Sequence, residues 1–326
     1  MRTKLALVGL LIALLAVIPF FATQSVIYLL GLTFIFVVFV ISWDLIAGYA
    51  GQVNLGHTVF IGIGAYTTAL LQNPERFKGF LDFLAGIPQL PIWVTILIGG
   101  LMAVAFGFVI GAICLRLKGY YLALVTAILP LICIQFLNVY SDVFGGYEGF
   151  SIGFGKALAS DLVGKYYIAL VFMLICIVAT IYIIKSPLGI KLKAIREDEE
   201  LAEAIGIDVV KYKLIAFCLS AFFAGLAGAM MVHYRITVGP DLFDVPLMLM
   251  IILSAVIGGL GSIYGPVAGA FLIYLAKNYV FVKVVEGLAL NVSDEIFLYV
   301  LLIVIILKSP EGIFEKVRNF VGGIRS

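Results

Sequence analysis

The sequence predicts an all-α protein, a polytopic membrane bundle of about ten helices, and three observations predict it. Of 326 residues, 63% are hydrophobic and 12% charged, which leaves too little polar surface to coat a soluble fold of this size. Apolar runs of about 20 residues recur along the chain, the length that crosses a bilayer's hydrocarbon core. Short polar stretches separate them, with no Pro- or Ser-rich linker, so residues 1–326 read as a single membrane domain.

In chain order the runs cover 5–22, 26–46, 53–71, 91–115, 120–140, 165–184, 214–234, 245–260, 264–282 and 295–308. The first follows Met1-Arg2-Thr3-Lys4 and resembles a signal sequence. However, Phe20 stands where cleavage after Ala22 requires a small residue, and the run is long enough to span, so it reads as a retained helix. The third, eighth and ninth are short and Gly-rich, which suits broken or re-entrant helices lining a cavity and leaves a count of about eight to ten spans. Gly99, Ala103, Gly107 and Gly111 repeat every fourth position, as do Gly261, Gly265 and Gly269. Such stripes serve either packing within a bundle or a subunit interface.

With the N-terminus inside, ten spans place 1–4, 116–119, 185–213 and 309–326 in the cytoplasm, and these hold most of the Lys and Arg. The net charge of +2 is scattered, not gathered into a stripe, and excludes a nucleic-acid role. Cys114, Cys133, Cys176 and Cys218 lie singly in apolar runs and read as small core hydrophobes.

A protein that moves solute uphill holds an energy source or borrows one. No GxxxxGK[ST] phosphate loop is present; the nearest approach, Gly149 to Gly155-Lys156-Ala157, has the wrong spacing and lacks the hydroxyl that binds magnesium. Ion-coupled carriers place charged groups near the midplane, yet Asp44, beside Trp43, is the one carboxylate clearly within a run. It reads either as functional or as a helix-end hydrogen-bonding group. His57 and His233 have no second ligand at metal spacing. His57, near Asn54 and Thr58, suits a hydrogen-bonding role near a pore; His233, beside Tyr234 and Arg235, is expected at the interface.

The one sizeable polar segment expected inside is 185–213. Pro187 and Gly189 stop the preceding span, and from Ile190 the pattern is helical until Gly206. Lys193 with Glu197, and Arg196 with Glu200, stand four apart and can pair across a turn. Ile195, Leu201 and Ile205 fall to one side. The segment is a solvated connector or a helix that docks on a motor subunit, presenting Ala202, Ile205 and the acidic cluster of Glu197, Glu200 and Glu203.

AIREDEELAEAIGID, residues 194–208, resembles the cytoplasmic segment of branched-chain amino acid ABC transporter permeases of the LivM type. Glu200-Leu201-Ala202 with Gly206 is similar to the loop by which ABC importer permeases engage their ATPases, with Leu201 replacing an Ala. GYAGQVNLGHTVFIGIGAY (48–66), AFCLSAFFAGLAGAM (216–230) and VIGGLGSIYGPVAGA (256–270) resemble further family blocks, in family order. Asn54 replaces a usual Ser, Asp44 a usual Asn, and Phe144-Gly145-Gly146-Tyr147-Glu148-Gly149 a TGGxxG-like loop. These departures bear on the substrate, because relatives carry urea, short amides or nucleosides.

The resemblance implies an all-helical permease of a prokaryotic cytoplasmic (inner) membrane with no cofactor or catalytic residue of its own; the span count and the Lys and Arg distribution are what place both termini in the cytoplasm. Its implied partners are a second, LivH-like permease, two cytoplasmic ATPase subunits that bind the ATP, and an extracytoplasmic solute-binding protein delivering an amino acid. Arg196, Glu197, Glu200, Ala202, Glu203 and Gly206 are the expected coupling residues. Asp44, Asn54, His57, Thr58, Gly258 and Gly259 are the expected residues of the translocation path, where unwound backbone offers peptide groups to solute. A self-sufficient carrier predicts paired intramembrane charges, which are missing, and a passive channel needs no docking helix.

Overall fold

The structure, a computed structural model, describes residues 2–115, 120–262 and 264–281; the tenth run, 295–308, and the tail 309–326 lie outside them. Among the described residues there are thirteen α-helices. They are α1 (Arg2–Val17), α2 (Gln24–Ala50), α3 (Thr58–Gln72), α4 (Asp82–Ala85), α5 (Ile92–Cys114), α6 (Tyr120–Val139), α7 (Ser141–Phe144), α8 (Leu162–Lys185), α9 (Pro187–Glu197), α10 (Glu199–Ala204), α11 (Val209–Arg235), α12 (Val245–Gly258) and α13 (Gly265–Leu275).

Six are long and apolar enough to cross a membrane: α2, α5, α6, α8, α11, and α12 together with the turn Pro240–Leu242 that leads into it. α3 is shorter, 15 residues, or roughly 22 Å against a hydrocarbon core of about 30 Å. Helix ends follow local chemistry. Asp161 and Asp208 accept hydrogen bonds from Gly164 N (2.8 Å) and Lys211 N (3.0 Å), capping α8 and α11. Pro187, Pro246 and Pro266 sit in first turns, where no N–H is required. Gly51, at φ +69°, ends α2 in the left-handed conformation.

α2 and α11 form the centre and are largely buried, whereas α6 is mostly exposed. Exposed leucines and isoleucines such as Leu97, Ile113, Leu124 and Ile175 cover the outer helices. In lipid, helices gain little from hiding apolar surface from one another, so close backbone contact must hold them. The Gly99 stripe does this within the bundle. A Cβ on Gly64 would strike the backbone of Gly225, one on Gly228 the carbonyl of Ile61, and one on Gly107 the Ala221 methyl. The segment 216–230 is therefore the small-residue face of α11 against α3 and α5.

The bundle has two distinct ends. At one, the Tyr234 hydroxyl donates to Tyr28 O (3.1 Å), Lys165 Nζ to Tyr234 O (3.4 Å), and Phe150–Ser151 (β1) pairs antiparallel with Thr237–Val238 (β2). At the other, the C-terminus of α2 meets α9, the start of α11 and the turn between α12 and α13.

Candidate functional site

The second end holds most of the predicted residues. After α12 the chain breaks at Gly259 (φ +93°) and Gly261 (φ +71°), conformations that only glycine adopts readily. Ser262 spans the break, donating to Gly259 O (2.8 Å) and accepting from Gly265 N (3.2 Å). Asp44 Oδ1, buried within α2, accepts from Gly261 N at 2.9 Å. The carboxylate thus bonds another element's backbone and not its own helix end. Arg196 of α9 donates from its guanidinium to Gly48 O.

Gly48 and Gly261 must both be glycine here. A Cβ on Gly48 would meet Asp44 Oδ1 and Gly261 N; one on Gly261 would meet the Arg196 guanidinium and Gly48 O. Three chain segments thus converge on one contact, with Arg196 the part that belongs to the polar segment. Gly258 packs against the Gly265 backbone in the same turn.

Asn54 and His57, between α2 and α3, and Thr58, the first residue of α3, lie beside Ser42 and Trp43 of α2, all buried. His57 Nε2 and Ser42 Oγ share a hydrogen bond of 2.8 Å, Thr58 Oγ1 donates to Phe243 O (3.0 Å), and Asn54 Oδ1 accepts from Gly56 N (2.9 Å). Trp43 Nε1 donates to Asn54 O (2.8 Å). His57 Nδ1 and Asn54 Nδ2 are buried without a hydrogen-bond partner among the described residues.

The polar segment differs from its sequence reading. One helix from Ile190 to Gly206 is expected; instead α9 begins at Pro187 and stops at Glu197, and Asp198 turns extended (ψ 108°). Its carboxylate caps α10 by accepting from Leu201 N at 2.9 Å, an alternative to continuing the helix that Asp's short side chain offers. The break separates Arg196 from Glu200, so their four-residue spacing no longer aligns them. The ion pair that forms is Lys213–Glu199, at 2.6 Å. Lys193 Nζ lies 5.5 Å from the Tyr49 ring centroid.

Ala202 faces inward, packed with Ile195 and Val209, and Leu192 packs with Ala50 and Ala216. These two apolar clusters seat the segment on the bundle. Leu201 (61% exposed) and Ile205 (68%) point away, with Glu197, Glu200 and Glu203 exposed around them. Gly206, at φ +89°, ends the turn in open space.

At the opposite end the sequence reading missed a polar knot. His233, expected at the interface, is fully buried. Its Nε2 lies 3.3 Å from Thr68 Oγ1 and 3.4 Å from Thr95 Oγ1, and its Nδ1 2.6 Å from Lys156 O. Lys156, from the near-miss phosphate loop, donates to Gln72 O and to Asn73 Oδ1 (2.6 Å). Arg76 donates to Asp142 O (3.0 Å) and Val143 O (2.9 Å) and stacks on Phe150. The sequence signal for this knot is a set of polar residues at run ends that share a depth but lie far apart in the chain.

A helical bundle with six helices long and apolar enough to span a bilayer is the architecture of a multi-pass membrane protein. The chain belongs to the family described as "Branched-chain amino acid transport system / permease component", whose model matches residues 25–307. It is 31% identical over 304 residues to the high-affinity branched-chain amino acid transport system permease protein LivM of Escherichia coli (strain K12), covering 85% of this chain and 68% of that protein. The LivM protein of Salmonella typhimurium is 29% identical over the same shares. The LivH permease of Escherichia coli (strain K12) is 24% identical over 85% of this chain and 90% of its own. No solved structure is a significant match. The chain is therefore a transport component of an ABC system, not an enzyme.

Proposed function

We propose that this chain is one of two permeases through which leucine, isoleucine and valine enter the cytoplasm, driven by ATP hydrolysed on separate subunits. Its partners on this reading are a LivH-like permease, two cytoplasmic ATPases and an extracytoplasmic solute-binding protein. The membrane unit has about ten spans, with α3, α12 and α13 as the short or broken ones. Both termini and the α9–α10 segment lie in the cytoplasm.

The observation that carries the proposal is the double-faced α9–α10 segment. One face is seated on the bundle through Leu192, Ile195 and Ala202 and reaches Gly48 through Arg196. The other offers Leu201 and Ile205 within an acidic rim, a surface suited to a groove on a motor subunit. Nucleotide that binds one ATPase arrangement better shifts the permease population, and α9 passes that preference to the Gly259–Gly261 turn. Solute then moves past His57 and Asn54, whose unpaired atoms would each cost about 1–3 kcal/mol in a dry interior and mark a polar route.

The test is assembly. Leu201→Asp with Ile205→Asp removes two exposed apolar anchors, each worth about 1.5–3 kcal/mol when buried, and should weaken ATPase capture at least tenfold while the permease stays monodisperse in detergent. Undiminished capture would refute the docking surface.

A further inference from the structure

The looped end of the bundle contains a recess of about 460 Å³, within the range of roughly 300–1,000 Å³ typical of small-molecule sites. It lies between the first half of α2, the end of α11, the start of α12 and the residues after α13. Its lining runs from Tyr28 to Phe39, about 16 Å along α2. It faces away from α9 and α10.

The chemistry of the lining is mixed. Arg235, Lys277, Asp241 and Asp244 supply two cationic and two anionic groups, while the half-buried Leu32 and Leu247 stand among the apolar residues of the wall. A site for a simple anion or cation needs an excess of one sign. Balanced charge beside an apolar wall matches a molecule carrying both charges and an aliphatic group. Arg235 and Asp241 already pair at 2.7 Å, with side chains 34% and 49% exposed. A pair so exposed contributes little to stability and can exchange its partners for a ligand's.

The floor leads onward. Phe39 lines the recess, Ser42 one turn further donates to Phe39 O (2.8 Å), and the same hydroxyl bonds His57. α2 thus runs from the recess, past Ser42 and Trp43 that contact the His57–Asn54 cluster, to the Asp44–Gly48 junction.

We propose that this recess receives the amino acid as a zwitterion, its carboxylate toward Arg235 and Lys277, its ammonium toward Asp241 and Asp244, and its branched side chain against Leu32 and Leu247. This rests on the reading of the chain as an amino-acid permease. The experiment uses the complete transporter in lipid nanodiscs, irradiated with a leucine analogue bearing a diazirine in its side chain, with adducts mapped by peptide mass spectrometry. Adducts are expected on α2 and α12 peptides bearing Leu32 and Leu247. An excess of leucine should reduce them at least fivefold, and the same excess of glycerophosphoethanolamine should not. Leu247→Trp, which extends into the recess, should abolish them.

Adducts elsewhere, insensitivity to leucine, or displacement by the headgroup compound would overturn the proposal, the last by assigning the recess to lipid. ATP-driven leucine uptake by the same preparation separates the two readings. Uptake without recess labelling rejects the recess alone; absence of uptake rejects the permease's assigned substrate as well.

Discussion

The core formed by α3, α5 and α11 and the junction where α2, α9 and the α12–α13 turn meet are both built on glycine, for opposite reasons. In the core, Gly64, Gly225 and Gly228 are helical, and their missing side chains let backbones touch along whole helix faces. At the junction, Gly259 and Gly261 interrupt helices, and the freed peptide groups are taken up by Asp44 and Ser262, while Arg196 bonds the neighbouring Gly48 carbonyl of α2. The first arrangement presses backbone against backbone, with no room for a side chain between. The second rests on a few hydrogen bonds, which can be exchanged. Glycine content alone does not distinguish a scaffold from a hinge; the partner of the exposed backbone does.

Substitution in the core should have the largest effect. Gly64→Leu would drive a side chain into the Gly225 backbone, beyond the about 1–3 kcal/mol usual for overpacking. No monodisperse protein is expected by fluorescence-detected size exclusion. Arg196→Ala should leave the fold intact yet reduce uptake at least tenfold, with Arg196→Lys recovering part of it, because an ammonium still donates to Gly48 O. Loss of folded protein on Arg196→Ala would place the junction with the scaffold and dissolve the comparison.

Asp44 sharpens it further. Asp44→Asn keeps an oxygen for Gly261 N and should change uptake less than about twofold, whereas Asp44→Ala orphans that N–H at a cost of about 1–3 kcal/mol and should reduce uptake clearly. A large loss in the Asn variant would assign the charge itself a role. The smallest effect is expected at Asp198→Ala, where losing the cap of α10 costs about 1 kcal/mol and shows as a small decrease in thermal midpoint.

Helix positions were legible because lipid imposes one length and one composition on every span, and the first nine apolar runs each coincide with a helix. The shortness of the third, eighth and ninth was legible from their glycines. Which way a short amphipathic helix faces was not. Ile195 and Leu201 carry similar apolar side chains, yet one is buried beneath α9 and the other exposed on α10, since Asp198 resets the helical phase between them. Contacts such as Arg196 with Gly48, or His233 with Thr68 and Thr95, join residues far apart in the chain that no local pattern links. The spacing that drew Arg196 toward Glu200 was real in the sequence but lost to a stronger local choice, a carboxylate capping the next helix.

The central claim is that the seated segment controls the glycine turn through Arg196. It is tested most directly by measuring ATP turnover and leucine uptake together, in proteoliposomes carrying the complete transporter with wild-type or Arg196→Ala permease. Turnover that persists while uptake falls at least tenfold is the expected result. Uptake and turnover that keep their wild-type ratio would contradict it.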